Sequence, residues 1–384
     1  MDNEHLPEQD AASQPQSHDQ RADYDAQRRR CPVAHNSTGG WSLYEHADVL
    51  RALLDHDTFS NAVSQHLSVP NGMDPPEHTP YRRLIEKYFT PERMQTFEPV
   101  CRKIAQGLVN DLVQRGQVEF MSEVASRFGV AVQCAFLGWP DTLQGTLLRW
   151  LRRNRDATLA QDRKALSEIA REFEAIIDDL LEKRRAAGSG PDVDITASLM
   201  HEEVWQRPLS NEELSSILRN WTAGEIGTIS AAVGIIAEFL ARRQDVQDRL
   251  RRERHLLPAA IDEILRIRGP LVSNRRITRR PVEIGNQQIG KGERITLNWV
   301  SANRDEKVFG NPDEFRLGRD PAKNLLYGAG IHVCPGAPLA SLEMRAFLEE
   351  LLNSTERIQL VADEPATLAS YPASGFATLP LRFH

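Results

Sequence analysis

The segment Tyr327-Gly328-Ala329-Gly330-Ile331-His332-Val333-Cys334-Pro335-Gly336 decides how this chain is read, because it sets a single cysteine among three glycines. Gly328, Gly330 and Gly336 allow tight, positive-φ turns, so main-chain N–H groups can point at the sulfur and temper a thiolate charge. Pro335 suits the first turn of a helix. Beyond it Leu339, Leu342, Met344, Phe347, Leu348 and Leu351 recur at helical spacing. A cysteine at such a helix start has its thiol pKa lowered by the positive end of the dipole. An isolated cysteine is more often a packed core thiol, so the loop has to be weighed with the rest of the chain.

Aromatic, Gly, x, Gly, x, basic, x, Cys, x, Gly is the order found in the heme-binding loop of cytochrome P450 enzymes, and the segment resembles it, with Tyr327 in place of the usual phenylalanine. The resemblance implies a mainly α fold with a small β lobe, heme b (iron protoporphyrin IX) as cofactor, and Cys334 as the thiolate ligand of the iron. Two further motifs agree. Glu263-Ile264-Leu265-Arg266 places an acid and a base on one helix face; in the family this pair is buried near the loop and completed by a later arginine, matched here by Arg319. His78 and Arg82, four apart in His78-Thr79-Pro80-Tyr81-Arg82, also share a face. By resemblance that face meets a heme propionate, with Arg276 and His332 as further contacts. Several cationic donors converging on two carboxylates is what a buried dianionic macrocycle requires.

Ser210-Asn211-Glu212-Glu213 is a capping box that opens a helix running to about Arg243. Within it, Ala223-Gly224 resembles the small pair that admits dioxygen over the iron. In relatives an acid and a threonine follow at fixed spacing and route protons. This chain has Ile226 and Gly227 at those positions, and no single register supplies both groups. Glu225 and Thr228, three apart, are the candidates to replace them; the alternative is that Glu225 pairs with an arginine and Thr228 bonds back to its own helix.

With 26% charged residues and a net charge of −7, a nucleic-acid partner is not expected. The four cysteines, Cys31, Cys101, Cys134 and Cys334, lack paired spacing, which fits neither a disulfide framework nor a zinc site. No run of 18 or more apolar residues and no signal-peptide pattern is seen. The expectation is a soluble, cytoplasmic, monomeric protein without a membrane contact. Residues 1–30, poor in large apolar side chains, read as a disordered tail, and residues 31–384 as one cytochrome P450 heme domain. The first strand is expected at Gly39 to Tyr44, a short helix from Asp48 to Leu54, and long helices from Pro99, Val118, Asp162 and Asn211. Strands are expected between Val282 and Leu297, and a last pair near Leu379 to Phe383.

The functional expectation is a heme-thiolate monooxygenase that inserts one oxygen atom from O2 into a small, moderately apolar molecule, using electrons from a ferredoxin- or flavodoxin-type donor and its reductase. A hydrogen-peroxide-dependent peroxygenase with Glu225 as acid/base stays open. So do a non-oxygenating heme-thiolate enzyme and a ligand-sensing heme protein. By resemblance the substrate pocket draws on Val63 to Gly72, with 69–72 a mobile loop, on Ala223 and Gly224, on Leu271 to Asn274 and on Ser374 to Phe376. Arg83 and Lys87 are expected to favour an acidic electron donor.

Overall fold

The computed structural model describes residues 19–36, 39–64 and 66–384. Asp19 opens the first helix, α1 (Gln20–Arg30), by accepting from the Arg21 N–H at 3.1 Å. This corrects the expected disorder through residue 30; residues 1–18 of that segment lie outside the described ones. Charge rather than apolar surface orders α1. Arg28 is buried and donates to the Ser301 and Arg304 carbonyls and to Asp25, each at 2.9 Å, and to Glu306 at 2.5 Å. Arg304 in turn grips Asp25 at 2.6 Å.

Strand β1 (Val33–His35) pairs antiparallel with β2 (Trp41–Leu43), so one strand precedes the strand expected first. After α2 (His46–Leu54) and β3 (Phe59–Ser60) come α3 (His78–Glu86) and α4 (Pro91–Arg115). Gly116 ends α4 at φ 67°, a left-handed conformation that favours glycine. The helix expected from Val118 begins as strand β4 (Gln117–Glu119) and a wide turn, in which the Ser126 N–H returns to the Met121 carbonyl, before α5 (Ser126–Leu137). Helices α6 (Gln144–Leu159), α7 (Arg163–Ala186) and α8 (Ile195–Met200) and the hairpin β5 (Glu203–Val204) and β6 (Arg207–Pro208) lead to α9 (Asn211–Arg242).

The capping box of α9 forms as expected, with Glu213 N–H donating to Ser210 Oγ at 3.2 Å and Ser210 N–H to Glu213 at 2.7 Å. Its 32 residues span roughly 48 Å, long enough to cross the whole protein. Contrary to the sequence reading, α9 is long and apolar enough to cross a membrane, but 67% of that stretch is buried inside the protein, as a core helix would be.

Helices α10 (Gln244–Arg252) and α11 (Leu257–Ile267) follow. Strands β7 (Ser273–Thr278), β8 (Val282–Ile284), β9 (Gln287–Ile289) and β10 (Arg294–Asn298) form the expected β cluster. Strand β10 lies parallel to β2 and antiparallel to β7 in a sheet of order β1-β2-β10-β7-β3. Short helices α12 (Trp299–Ala302) and α13 (Glu306–Phe309) precede the cysteine loop, which opens into α14 (Ala337–Ser354). Of the last strands, β11 (Ile358–Leu360), β12 (Thr367–Leu368), β13 (Phe376–Thr378) and β14 (Pro380–Phe383), β14 pairs with both β11 and β4.

Leu112, Phe128, Ile236, Leu265 and Phe347 join α4, α5, α9, α11 and α14 in one core; Tyr88, Trp150, Phe173 and Ile217 build a second around α6, α7 and the start of α9. Leu43, Ile295 and Trp299 fill a third beneath the sheet. The fold is mainly α with a small β lobe.

Candidate functional site

Two positive-φ glycines shape the cysteine loop. Gly328 sits at φ 75°, and at Gly330, φ 70°, a Cβ would lie 2.5 Å from the Leu53 carbonyl oxygen, so α2 leaves room for glycine alone. Gly336, expected in the same class, has φ −81° and serves as the N-cap of α14, with Pro338 rather than Pro335 in the first turn. The Cys334 N–H donates to the Tyr327 carbonyl at 2.8 Å, closing the loop on itself. Cys334 keeps exposed surface, yet the protein around it is dense enough that burial pushes the thiol pKa up; the Gly336 and Ala337 N–H groups pull the other way. The expected helix-start effect is thus present but outweighed.

The loop rests on a buried ion network. Arg266, 1% exposed, donates to Glu263 at 2.7 and 2.9 Å and to the Asn303 and Pro312 carbonyls. Arg319 completes the expected trio at 2.8 Å from Glu263. Every charge here has a partner, which makes the network a rigid base for the loop.

A basic cluster flanks the cysteine. His78 on α3 and His332 in the loop have ring centroids 4.5 Å apart, edge to face, and neither Nε2 has a hydrogen-bond partner. Arg82 donates to the Val333 carbonyl at 2.6 Å and to Glu86 at 2.7 Å, tying α3 to the residue before Cys334. Arg276 on β7 is buried, and its guanidinium donates only to the Arg275 carbonyl at 2.7 Å; burial pulls its pKa down to about 10. Burial, then the positive charges of His78, Arg276 and Arg82, depress His332 to about 3. Burial likewise lowers His78. Unpaired buried donors of this kind lack one thing, a negatively charged acceptor. They fit a dianionic cofactor lying against Cys334.

Helix α9 is bare where the sequence singled it out. Ala223, Gly224 and Gly227 are exposed while Trp221, Thr222 and Ile226 beside them are buried, and a Cβ on either glycine would meet nothing within 4 Å. Thr228, four residues from Gly224 and so on the same side of the helix, has its hydroxyl bonded back to the Gly224 and Glu225 carbonyls at 2.7 and 3.1 Å. Glu225 meets no arginine. Glu343 on α14, a residue the sequence reading missed, lies close enough to act on it electrostatically. Burial raises Glu225 to about 7 and Glu343 well above its ordinary value. The missed signal is an acid on an apolar stripe, since Glu343 lies midway between Leu339 and Phe347 at i±4.

Of the expected pocket segments, Leu67 and Val69 are hydrogen-bonded to α9. Val69 N–H donates to Ser216 Oγ at 2.9 Å, and its carbonyl and that of Leu67 accept from Asn220 and Arg219 on α9. Gly375 packs against α9, where an added Cβ would lie 3.2 Å from Ile235 Cγ1. Arg83 is exposed, while Lys87 is engaged with Glu202 at 3.0 Å.

The family model for cytochrome P450 matches residues 146–360 of the chain. Cyclomarin C epoxidase of Salinispora arenicola is 30% identical over 334 residues, covering 83% of this chain and 84% of that protein. Cytochrome P450-terp of a Pseudomonas species is 30% identical over 379 residues, covering 89% and 87%. A Bacillus megaterium cytochrome P450 crystallised with corticosterone superposes with a TM-score of 0.84 at 26% identity, over 94% of this chain and 98% of that one.

Proposed function

The chain belongs to the cytochrome P450 family of heme-iron monooxygenases, and we propose that it inserts one oxygen atom from O2 into a small, moderately apolar organic substrate. Heme iron held by a cysteine thiolate would supply the oxygen activation. We assign Cys334 as that ligand and heme b as the group held. The observation that carries the reading is the pair of unpartnered Nε2 atoms of His78 and His332 beside Cys334, with buried Arg276 bonded to a backbone carbonyl but to no acid, a set suited to two propionates. Arg82 locks the cysteine loop to α3 and adds a further positive charge. Ala223, Gly224 and Gly227 leave α9 without side-chain bulk beside the site, so small molecules can approach its backbone.

The substrate class follows from the segments gathered at α9, which mix aliphatic, small polar and aromatic groups. The relative that epoxidises cyclomarin C and the structure holding corticosterone support a ligand of that character. Electrons come from a ferredoxin- or flavodoxin-type donor docking near exposed Arg83 by charge complementarity, with Lys87 contributing less because Glu202 already engages it. The protein acts in the cytoplasm as a monomer.

A peroxygenase reading is favoured by one observation: the Thr228 hydroxyl is committed to carbonyls of its own helix, while Glu225 Oε1 is buried and bonded to no described residue. The decisive experiment reduces the purified protein under carbon monoxide beside a Cys334→Ser variant, then supplies a substrate with labelled O2 plus a reductase system or with labelled hydrogen peroxide. A thiolate-type Soret band lost in the variant, with label entering from O2, is expected. Entry only from peroxide selects the second reading, and a band indifferent to the substitution overturns both.

A further inference from the structure

The tip of the hairpin formed by β12 and β13 touches α9 at the edge of its bare face. Leu368 pairs with Phe376, and residues 369–375 between them turn back on themselves, the Ala369 N–H donating to the Gly375 carbonyl at 3.0 Å. At Gly375, φ 81°, an added Cβ would lie 3.2 Å from Ile235 Cγ1 and 3.5 Å from the Ala231 carbonyl oxygen, so no side chain keeps the tip off the helix. Ala231 stands four residues beyond Gly227 and seven beyond Gly224, hence on the same side of α9. The tip therefore closes one end of the surface that Gly224 and Gly227 leave free. Among the described residues no hydrogen bond joins the tip to α9, so its place is set from behind.

Behind the tip stand Arg268 and the start of α1. Arg268, the residue that follows α11, has its guanidinium 5.2 Å from the centroid of the Phe376 ring. It donates at 2.9 Å to Asp19, the one acid hydrogen-bonded to it among the described residues. Gln20 on α1 donates to the Ala369 carbonyl at 3.3 Å, Ser374 Oγ donates to the Gly269 carbonyl at 2.5 Å, and Leu271 bridges Ala373. The cleft left between α1 and the tip measures about 30 Å³, room for little more than a water, so α1 backs the hairpin directly. The Arg268 side chain is only 15% exposed, and a cation taken so far out of water depends on its counter-ion.

We propose that Arg268 is a positioning residue for the substrate: braced by Asp19 and seated on Phe376, it holds the 369–375 tip against α9 and so limits the bulk of ligand that the Ala223, Gly224 and Gly227 face accepts. The assignment rests on the monooxygenase reading, which puts the substrate at that face, and deepens it by naming what sets ligand size there. Loss of the Asp19 charge leaves Arg268 without its counter-ion. The guanidinium then leaves the ring for water, and the tip, with only a glycine against α9, moves outward. A small ligand is indifferent to that shift, whereas one reaching along α9 beyond Gly227 gains room. An ion pair that served the fold alone would change both ligands alike.

Titrating the ferric holoenzyme with imidazole and with clotrimazole, a bulky triaryl-substituted imidazole, tests the proposal without turnover, the Soret shift reporting ligation of either. The variants are Arg268→Met and Asp19→Asn, the second of which keeps the helix cap and removes the charge. Both should leave imidazole affinity within about twofold of wild type while clotrimazole binds about tenfold tighter, a change in the ratio of about 1.4 kcal/mol. Asp19→Glu, which keeps the counter-ion, should hold the wild-type ratio. Equal shifts for the two ligands, or an unchanged ratio in both variants, overturn the positioning role. Should Arg268→Met fail to fold, Asp19→Asn decides alone, since Asp19 lies nearer the surface at 35% exposed. Wild-type protein separates the two levels. A thiolate-type carbon monoxide band together with an unchanged ratio in the variants sinks only the role of Arg268, whereas no Soret shift with imidazole and no thiolate band in wild type sinks the monooxygenase reading with it.

Discussion

His78 and His332 approach edge to face with ring centroids 4.5 Å apart, one from α3 and one from the loop that carries Cys334, and neither Nε2 meets a partner among the described residues. No described residue repays the burial of these two nitrogens with a hydrogen bond. Replacing both with phenylalanine keeps two edge-packed rings and removes two orphaned donors, so the apoprotein should unfold at an equal or higher urea concentration. Heme affinity should move the other way, weakening roughly 100- to 10,000-fold, because each of the two charge-assisted hydrogen bonds to a propionate is worth about 1.5–3 kcal/mol. Titration of heme into the two apoproteins checks this; equal affinities would remove these residues from the site.

Thr228 and Gly227 give opposite expectations although they are adjacent. The Thr228 hydroxyl is committed to the helix carbonyls of Gly224 and Glu225, so Thr228→Val should leave coupled turnover within about twofold of wild type. Gly227 is exposed on the bare face, with room for a side chain. Gly227→Thr should raise the fraction of consumed O2 that appears in product, and it replaces a weak helix former at no steric cost. Hydrogen peroxide released per turnover is the measurement, and a rise in Gly227→Thr would contradict the reading of that face.

The Glu225 and Glu343 pair makes stability depend on pH. Glu225 rises from 4.5 when free to about 7 in the fold, with Glu343 shifted in the same direction. Between those values the folded state binds more protons than the unfolded one, so the contribution is full below pH 4.5 and is lost as pH rises through 7. The loss by mildly alkaline pH amounts to about 3 kcal/mol for a shift of this size. Urea unfolding of wild type should therefore show stability falling from pH 5 to pH 8, and Glu225→Gln should flatten that slope. A variant with the wild-type slope would place the proton elsewhere.

Local motifs made the cysteine loop, the Glu263, Arg266 and Arg319 trio and the capping box of α9 legible, because each sets its chemistry within a few residues or in a recognisable pattern. What sequence did not reveal depends on partners remote in the chain. Arg28 finds Ser301 across 273 residues, so composition alone made α1 look disordered. The Thr228 hydroxyl could face the site or its own helix at the same spacing, and only the rotamer decides. Glu343 stood on an apolar stripe and could have been flagged as a buried acid; its partner Glu225 needed the crossing of α9 and α14.

The network around Arg28 yields the last expectation, and it bears on where the folded domain begins. Arg28 is buried among Asp25, Glu306 and the carbonyls of Ser301 and Arg304, while Arg304 depends on the same Asp25. Arg28→Met leaves Asp25 with Arg304 and Glu306 with Arg29 but takes the donor from two buried carbonyls, which should cost about 1–3 kcal/mol. Deleting residues 1–30 removes Asp25 as well and leaves Arg304 with Asp313 as its one acid, so it should destabilise at least as much, and the sheet residues next to Trp299 should lose hydrogen-exchange protection first. Urea midpoints of the three proteins separate the possibilities. A truncated chain as stable as the full one would return residues 20–30 to the status of a tail, whereas parallel losses in both variants would make α1 an integral part of the heme domain.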